Sequence, residues 1–359
     1  MQIVKIFLDK HNIKEKNIAI GVSGGADSLA LVLKANEELK VYGYNIIALT
    51  VDHRLRPTST TEALYVANIM QKHNIEHHIL TWNEEKPNCG IEEAARIARY
   101  NLINDWCKKN NVSYLMIAHH LLDQVETFLM RLQRGSGLEG LCSIREVSKW
   151  KNLTLLRPLL HTHPDTLKKY LLDKNIKWIE DESNYNEDFL RVRLRNFLPT
   201  FTEKTSISAN KIDEAITNLQ SAENFIETYM LSLFENKIQQ ISNDIFYLKY
   251  TTYLSLHPEI KFRFLAKILS KTYIPRADSL LLLIKKLDKL PFLGMTLGGK
   301  EIFLAYEKIW IVPELKSKRK ETRKSWKEFI EKNAEYKNKK FPHKVRLAIL
   351  QNQYSDVKI

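Results

Sequence analysis

Residues 19–28, AIGVSGGADS, run into residues 29–40, LALVLKANEELK, so that an apolar stretch meets a glycine pair and then a helical pattern. The spacing predicts a strand that turns sharply at Gly24 and Gly25 and opens a helix near Ser28. A helix opened in this way presents unpaired backbone N–H groups, and the positive end of its dipole, to whatever lies above it. A phosphate is the ligand that such an arrangement favours. A plain tight turn, with Ser23 and Ser28 as caps, is the structural alternative.

What the loop lacks narrows its type. The Walker pattern needs two glycines separated by four residues and then Lys-Ser or Lys-Thr, but here the glycines are adjacent and the next lysine is Lys34. The dinucleotide fingerprint needs three spaced glycines, and Gly21, Gly24 and Gly25 have the wrong offsets. Ser-Gly-Gly-x-Asp-Ser instead resembles the pyrophosphate loop of the ATP pyrophosphatases, which cleave ATP between its α and β phosphates while adenylating a substrate carbonyl. The resemblance implies that Ser23, Gly24, Gly25, Ala26, Asp27 and Ser28 hold the departing pyrophosphate and that Asp27 serves a metal or the catalytic arrangement.

The rest of the composition bounds the setting. A chain of 359 residues has room for two domains and a further short piece. No apolar stretch reaches the length of a membrane span, and the first residues, MQIVKIFLDKHNIKEKN, do not read as a signal peptide, so a cytoplasmic protein with no membrane partner is expected. Cys89, Cys107 and Cys142 stand far apart with no Cys-x-x-Cys pair, which points away from a disulfide framework or a zinc site. Fifty-five Lys and Arg against 42 Asp and Glu leave a formal charge of +13, which suits a polyanionic partner such as RNA.

The first half alternates strand and helix signals. NIAIGV, NIIALTVD, HHILTW and YLMIAHH are short apolar runs, each followed by a stretch with apolar residues three or four apart. This pattern predicts an α/β fold, a doubly wound parallel sheet, with ligands beyond the carboxyl ends of the strands at 23–28, 52–58 and 119–123. TLLRPLL then leads to a helix opened by Pro164 and Asp165. An acidic run precedes Arg191, Arg193 and Arg195, whose spacing of two would align them on one side of a strand. A long amphipathic helix is expected over about 213–236, and a hairpin at Gly298-Gly299. Eleven Lys or Arg and four Asp or Glu between 316 and 340 read as a flexible or RNA-facing tail. The expected division is a catalytic domain over 1–205, a helical linker over 206–238, a small α+β C-terminal domain over 239–315, and a basic tail or truncated subdomain over 316–359.

Four further segments accompany SGGADS in order: VDHRLRPTS, GIEEAARIARY, AHHLLDQVET and RGSGLEGL. Together with RPLL, EDESN and FLRVRLR they resemble the motifs of the tRNA(Ile)-lysidine synthetases, over about residues 19–197. The resemblance implies an adenine nucleotide α-hydrolase-like domain that adenylates carbon 2 of the wobble cytidine in the isoleucine tRNA with a CAU anticodon. The ε-amine of free L-lysine then displaces AMP. ATP, Mg²⁺, lysine and this tRNA are the implied ligands, and a homodimer is one assembly it admits. Asp27, His119, Asp123, Glu126, Arg99 and Arg191 are the implied catalytic residues, Asp52 and His53 line the adenosine pocket, and Asp27 and Asp123 hold the metal. On a helix starting near Asp123 the spacing of three brings Asp123 and Glu126 to one face, where they suit Mg²⁺, the lysine ammonium or its proton. Guanidinium groups at Arg99 and Arg191 match phosphate geometry.

Two positions depart from the family pattern. Leu122 precedes Asp123 where the family usually has a second aspartate, and Val192 replaces an asparagine in the arginine-rich segment. A tRNA thiolase or amidotransferase-linked synthetase is the nearest rival, but thiolation commonly uses a cysteine pair that this chain lacks. A catalytically silent tRNA-binding protein is the rival of another class, against which Asp27, Asp123 and Glu126 speak.

Overall fold

The computed structural model describes residues 2–87, 89–180, 186–242, 244–270, 275–314 and 323–355. The chain divides into two compact units, 1–223 and 224–359. Most of the EDESN segment, residues 181–184, lies outside the described residues.

In chain order the first unit runs α1 (Ile3–Lys10), β1 (Asn17–Gly21), α2 (Ala26–Leu39), β2 (Asn45–Asp52), α3 (Ser59–Lys72), β3 (Glu76–Thr81), α4 (Ile91–Lys109), β4 (Tyr114–Met116), α5 (Leu121–Gln133), α6 (Leu138–Leu141), β5 (Val147–Trp150), β6 (Leu153–Leu156), α7 (Pro164–Asp173) and α8 (Leu190–Thr205). Its sheet has the order β3-β2-β1-β4-β6-β5. The strands from β3 to β6 are mutually parallel, while the edge strand β5 pairs antiparallel with β6. That edge hairpin, closed around Lys151 at a positive φ of 51°, is an addition to the expected all-parallel sheet.

Burial explains the strand composition. Ile18, Ala19 and Ile20 of β1 are fully enclosed, with α2 contributing Leu29, Val32 and Leu33 on one face and Ile103, Cys107 and Leu115 packing on the other. Central strands covered on both faces need apolar side chains at successive positions, which is why they read as continuous runs instead of alternating ones. Such a sheet leaves polar groups free at its carboxyl edge, where strands hand over to helices.

The Arg191, Arg193 and Arg195 segment is helical, not extended: it opens α8. Leu190, Leu194, Phe197 and Phe201 recur three and four apart, and this helical stripe outweighs the period-two spacing of the arginines.

The long helix α9 (Ala209–Asn236) begins in the first unit and ends in the second. There follow β7 (Gln239–Ser242), β8 (Ile245–Lys249), α10 (Tyr250–Leu254), α11 (Pro258–Leu269), α12 (Ala277–Leu287), β9 (Met295–Leu297), β10 (Lys300–Ala305), β11 (Lys308–Pro313), α13 (Arg323–Lys332) and α14 (His343–Ser355). The second sheet is antiparallel, ordered β7-β8-β11-β10-β9. Gly298 and Gly299, with φ of 60° and 69°, form the two-residue turn between β9 and β10. A second such turn at Tyr306-Glu307 joins β10 to β11 without a glycine to announce it.

The basic stretch that reads as a tail contains ordered structure. Trp326 and Phe329 of α13, with Phe341, Val345 and Ile349, pack against Phe303, Trp310 and Val312 of the second sheet. Apolar residues spaced among the lysines give these helices a core face, so the charge run is their solvent side.

Candidate functional site

The glycine loop sits where β1 ends. Val22 N–H donates to Leu49 O at 2.9 Å, and Gly25 takes an extended conformation as the residue preceding α2. Among the described residues no side chain caps this helix start, which leaves its first N–H groups, with the dipole behind them, for a ligand. Gly24 has φ of +89°, and a Cβ there would lie 2.6 Å from Ile179 Cδ1; Ile179 N–H also donates to Gly24 O at 3.0 Å. The segment after α7 therefore braces the loop from behind. Ser28 is buried, its Oγ accepting from Ser23 N–H at 3.1 Å and donating to Gly25 O at 3.0 Å. It staples the turn, while Ser23 is exposed and Ala26 enters the helix.

Asp27, on the first turn of α2, faces the start of α5. Its Oδ2 lies 3.6 Å from His120 Nε2, and its Oδ1 is buried with no hydrogen-bond partner among the described residues. His120 caps α5 through a capping box: Nδ1 accepts from Asp123 N–H at 3.3 Å, and His120 N–H donates to Asp123 Oδ2 at 3.0 Å. Because Nδ1 accepts, the ring proton sits on Nε2, the atom turned toward Asp27. Burial raises the Asp27 carboxyl above its usual range, the His120 ring opposes this and Asp123 adds to it.

Asp123 and Glu126 share a face of α5 with different surroundings. Glu126 is fully buried and receives Arg195 Nε at 2.7 Å and Arg191 Nε at 3.2 Å from α8. Arg191 and Arg195 are four apart on one helix, which is why both reach it, whereas Arg193 points away and donates to the carbonyls of Glu187 and Asp188. Burial lifts the Glu126 carboxyl, with Arg195 and Arg191 pulling against it. Asp123 Oδ1 is 4.0 Å from Arg195 Nη2.

His119 accepts at Nδ1 from Arg157 Nε at 3.0 Å; burial and then the nearby cations hold its pKa down at about 4. Arg99 does not join this group. From α4 it reaches the end of β2, where its Nη2 donates to His53 Nε2 at 3.2 Å. His53 Nδ1 is buried without a partner among the described residues, and burial first, Arg99 second, lowers its pKa to about 4. Asp52 accepts from Arg54 N–H and Thr60 Oγ1 at 3.0 and 2.8 Å, which makes it a buried organiser of this loop. The two departures carry apolar duty: Leu122 packs beside Leu121 and Val125, and Val192 is buried.

Two groups of predicted residues thus stand beyond the carboxyl ends of the parallel strands. The loop, Asp27, His119, Asp123, Glu126 and Arg191 form one, and Asp52, His53 and Arg99 the other. Sequence reasoning does not single out Arg195, whose placement depends on the helix, or Arg157, which is visible within RPLL. Two carboxylates beside an open helix N-terminus offer hard oxygen donors and an unsatisfied Oδ1, a set that fits a hydrated cation carried in by phosphates. Among the described residues no group of three or more His, Cys, Asp and Glu forms a self-sufficient metal cage.

Residues 2–200 match the PP-loop domain family. The tRNA(Ile)-lysidine synthase of Wolbachia pipientis wMel is 35% identical over 304 residues, covering 83% of this chain and 70% of that protein. Its counterpart from the Wolbachia of Brugia malayi is 33% identical, covering 88% and 75%. The chain belongs to the tRNA(Ile)-lysidine synthase family. As a tRNA(Ile)-lysidine synthase it is an ATP-dependent ligase with a PP-loop ATP-binding domain. Among solved structures, the U34-tRNA thiolase NcsA from Methanococcus maripaludis superposes with a TM-score of 0.53 at 18% identity, over 61% of this chain and 76% of that one. That likeness is one of fold. Among the described residues no helix is long and apolar enough to cross a membrane.

Proposed function

We propose that this ligase joins free L-lysine to carbon 2 of the wobble cytidine of the CAU-anticodon isoleucine tRNA, in the cytoplasm, through an adenylated tRNA. The observation that carries this reading is Asp27: a carboxylate with one buried, unpartnered oxygen, set beside an uncapped helix N-terminus and facing His120.

In the first step the cytidine oxygen attacks the α phosphorus and the bond to pyrophosphate breaks. The N–H groups of residues 24–28 and the Ser23 hydroxyl are suited to hold the leaving pyrophosphate. Mg²⁺, held by Asp27 and Asp123, would neutralise phosphate charge there. Asp52, His53 and Arg99 serve the adenosine end, where the buried His53 Nδ1 offers an unused hydrogen bond. Arg191, exposed on α8, is suited to meet phosphate or cytidine once drawn from Glu126.

In the second step the lysine ε-nitrogen attacks carbon 2 and AMP departs. The amine must first lose a proton. Glu126, whose carboxyl is lifted by burial, is suited to accept it, and Asp123 to hold the ammonium beforehand. Incubation with Mg²⁺, ATP, radiolabelled lysine and the tRNA transcript should place label in the RNA with release of AMP. Absence of label from correctly folded protein would overturn the proposal.

A further inference from the structure

Arg157 follows β6 directly and is held in place by its own backbone, whose N–H donates to Glu146 O at 3.0 Å, while the neighbouring Ile117 N–H donates to Leu156 O at 2.9 Å. The residue is buried, with only 8% of its surface exposed. The guanidinium donates through Nη1 to Arg145 O at 2.8 Å and Ser148 Oγ at 3.0 Å, and through Nε to His119 Nδ1 at 3.0 Å. Every one of these partners is neutral. Among the described residues no carboxylate pairs with it, and taking a cation out of water in that way is costly, so a reason for keeping this one must lie in what it does to its partners.

A guanidinium has donors and no acceptor, so the hydrogen bond to His119 has a single polarity. Nδ1 of His119 carries the lone pair, and the ring's proton is on Nε2. Among the described residues Nε2 makes no hydrogen bond. His119 follows β4, and Asp123 and Arg191 are among the charges acting on its ring. It therefore offers an N–H, not a lone pair, to whatever enters.

We infer that Arg157 is a positioning residue that holds His119 as an Nε2–H donor to an anionic substrate oxygen, and that His119 is not the proton acceptor of the ligation. This rests on the reading that the pyrophosphate loop and the start of α5 form the reaction site. The oxygen belongs either to the phosphoryl group undergoing transfer or to the carboxylate of the lysine. Both are anionic acceptors that a neutral N–H, backed by a buried cation, would favour.

The tautomer can be read without turnover, by two-bond ¹H–¹⁵N correlation on full-length protein labelled at histidine, the His119 signals being assigned by their loss in His119→Gln. The expected pattern is protonated Nε2 and bare Nδ1, giving way in Arg157→Met to a mixture of tautomers. A bare Nε2 in the unaltered protein would overturn the inference even if lysidine is formed. Failure of the unaltered protein to label tRNA would strike the proposed reaction and leave the tautomer result standing.

Kinetics separates donor from base. Glutamine keeps a donor near the Nε2 position, so His119→Gln should retain activity within about tenfold, while His119→Ala loses about a hundredfold or more. Equal loss in both would overturn the donor role. If the oxygen is phosphoryl, His119→Ala loses adenylated-tRNA formation measured without lysine. If it is the lysine carboxylate, that half-reaction is intact, KM for lysine rises, and turnover of 1,5-diaminopentane, which lacks the carboxylate, is unaffected. Loss of neither half-reaction would again overturn it.

Discussion

Arg195 reaches from α8 to grip the carboxylate of Glu126 on α5, Nε at 2.7 Å from Oε1 and Nη2 at 3.3 Å from Oε2. Glu126 is fully buried, whereas about a third of the Arg195 side chain is exposed. Arg195→Ala should therefore leave a buried carboxylate with Arg191 alone. We expect a loss of about 1–3 kcal/mol, below the usual figure for breaking a buried pair because Arg191 and solvent still screen the charge. Denaturant melts of Arg195→Ala and of Arg195→Ala with Glu126→Gln would check this, the second change restoring much of the loss.

Asp27→Asn should abolish AMP and pyrophosphate release while leaving tRNA affinity within about threefold, because phosphate contacts over a basic surface supply most RNA binding. The same change should hold or raise the thermal midpoint without nucleotide, since burial and Asp123 both disfavour the charge on Asp27. Parallel loss of RNA binding, seen by filter retention, would contradict this division of labour.

His161 bridges Asp213, with Nδ1 at 2.6 Å from Oδ2, and Glu146, with Nε2 at 3.4 Å from Oε1. Hydrogen bonding to Asp213 and then Glu146 raises its pKa to about 9. A raised value means that the stabilisation is fully present below the unfolded value of about 6.5 and is lost as the pH climbs through 9. Burial pushes Glu146 up, but hydrogen bonds from His161 and Lys10 prevail and bring it to about 2, so its share is present above about 4.5 and lost as the pH falls through 2. His161→Ala should lower the melting midpoint by about 2–4 °C at pH 6 and by clearly less at pH 9.5, as scanning calorimetry would read.

Lys332, Lys337 and Lys339 are exposed around α13 and the segment that follows it. Exchanging all three for Gln should weaken tRNA binding and reduce the slope of log affinity against log salt by about 1 for each phosphate they neutralise. Cutting the chain at 315 is a poorer test, because it would strip Trp326, Phe329 and Phe341 from the second core and expose apolar surface. An unchanged slope in the triple variant would assign these charges to solubility.

Local pattern is enough to read the glycine loop, the strand and helix alternation around it, and the Gly298-Gly299 turn, because each is decided by a few neighbouring residues. The arginine segment shows where that stops. Its period-two charges suggest a strand, yet Leu190, Leu194 and Phe197 recur at helical spacing, and the burial of Val192 and Leu198 together with the pairing of Arg191 and Arg195 with Glu126 outweighs the spacing of the charges. At the lysine-rich end charge is conspicuous in the sequence, while the few aromatics that anchor α13 and α14 count only once a sheet is there to receive them.

A phosphate loop opening the second helix of an α/β domain is written in the chain itself, since backbone geometry at adjacent glycines and the periodicity beside them are local properties. Which groups confront one another is settled only by the folded arrangement. Asp27 meets His120, Glu126 is enclosed by Arg191 and Arg195, His119 takes its tautomer from Arg157, and Arg99 goes to His53. Each pairing joins residues of different strands, helices or the loops between them, and their distances and burial follow from sheet order and helix packing, which no single segment encodes.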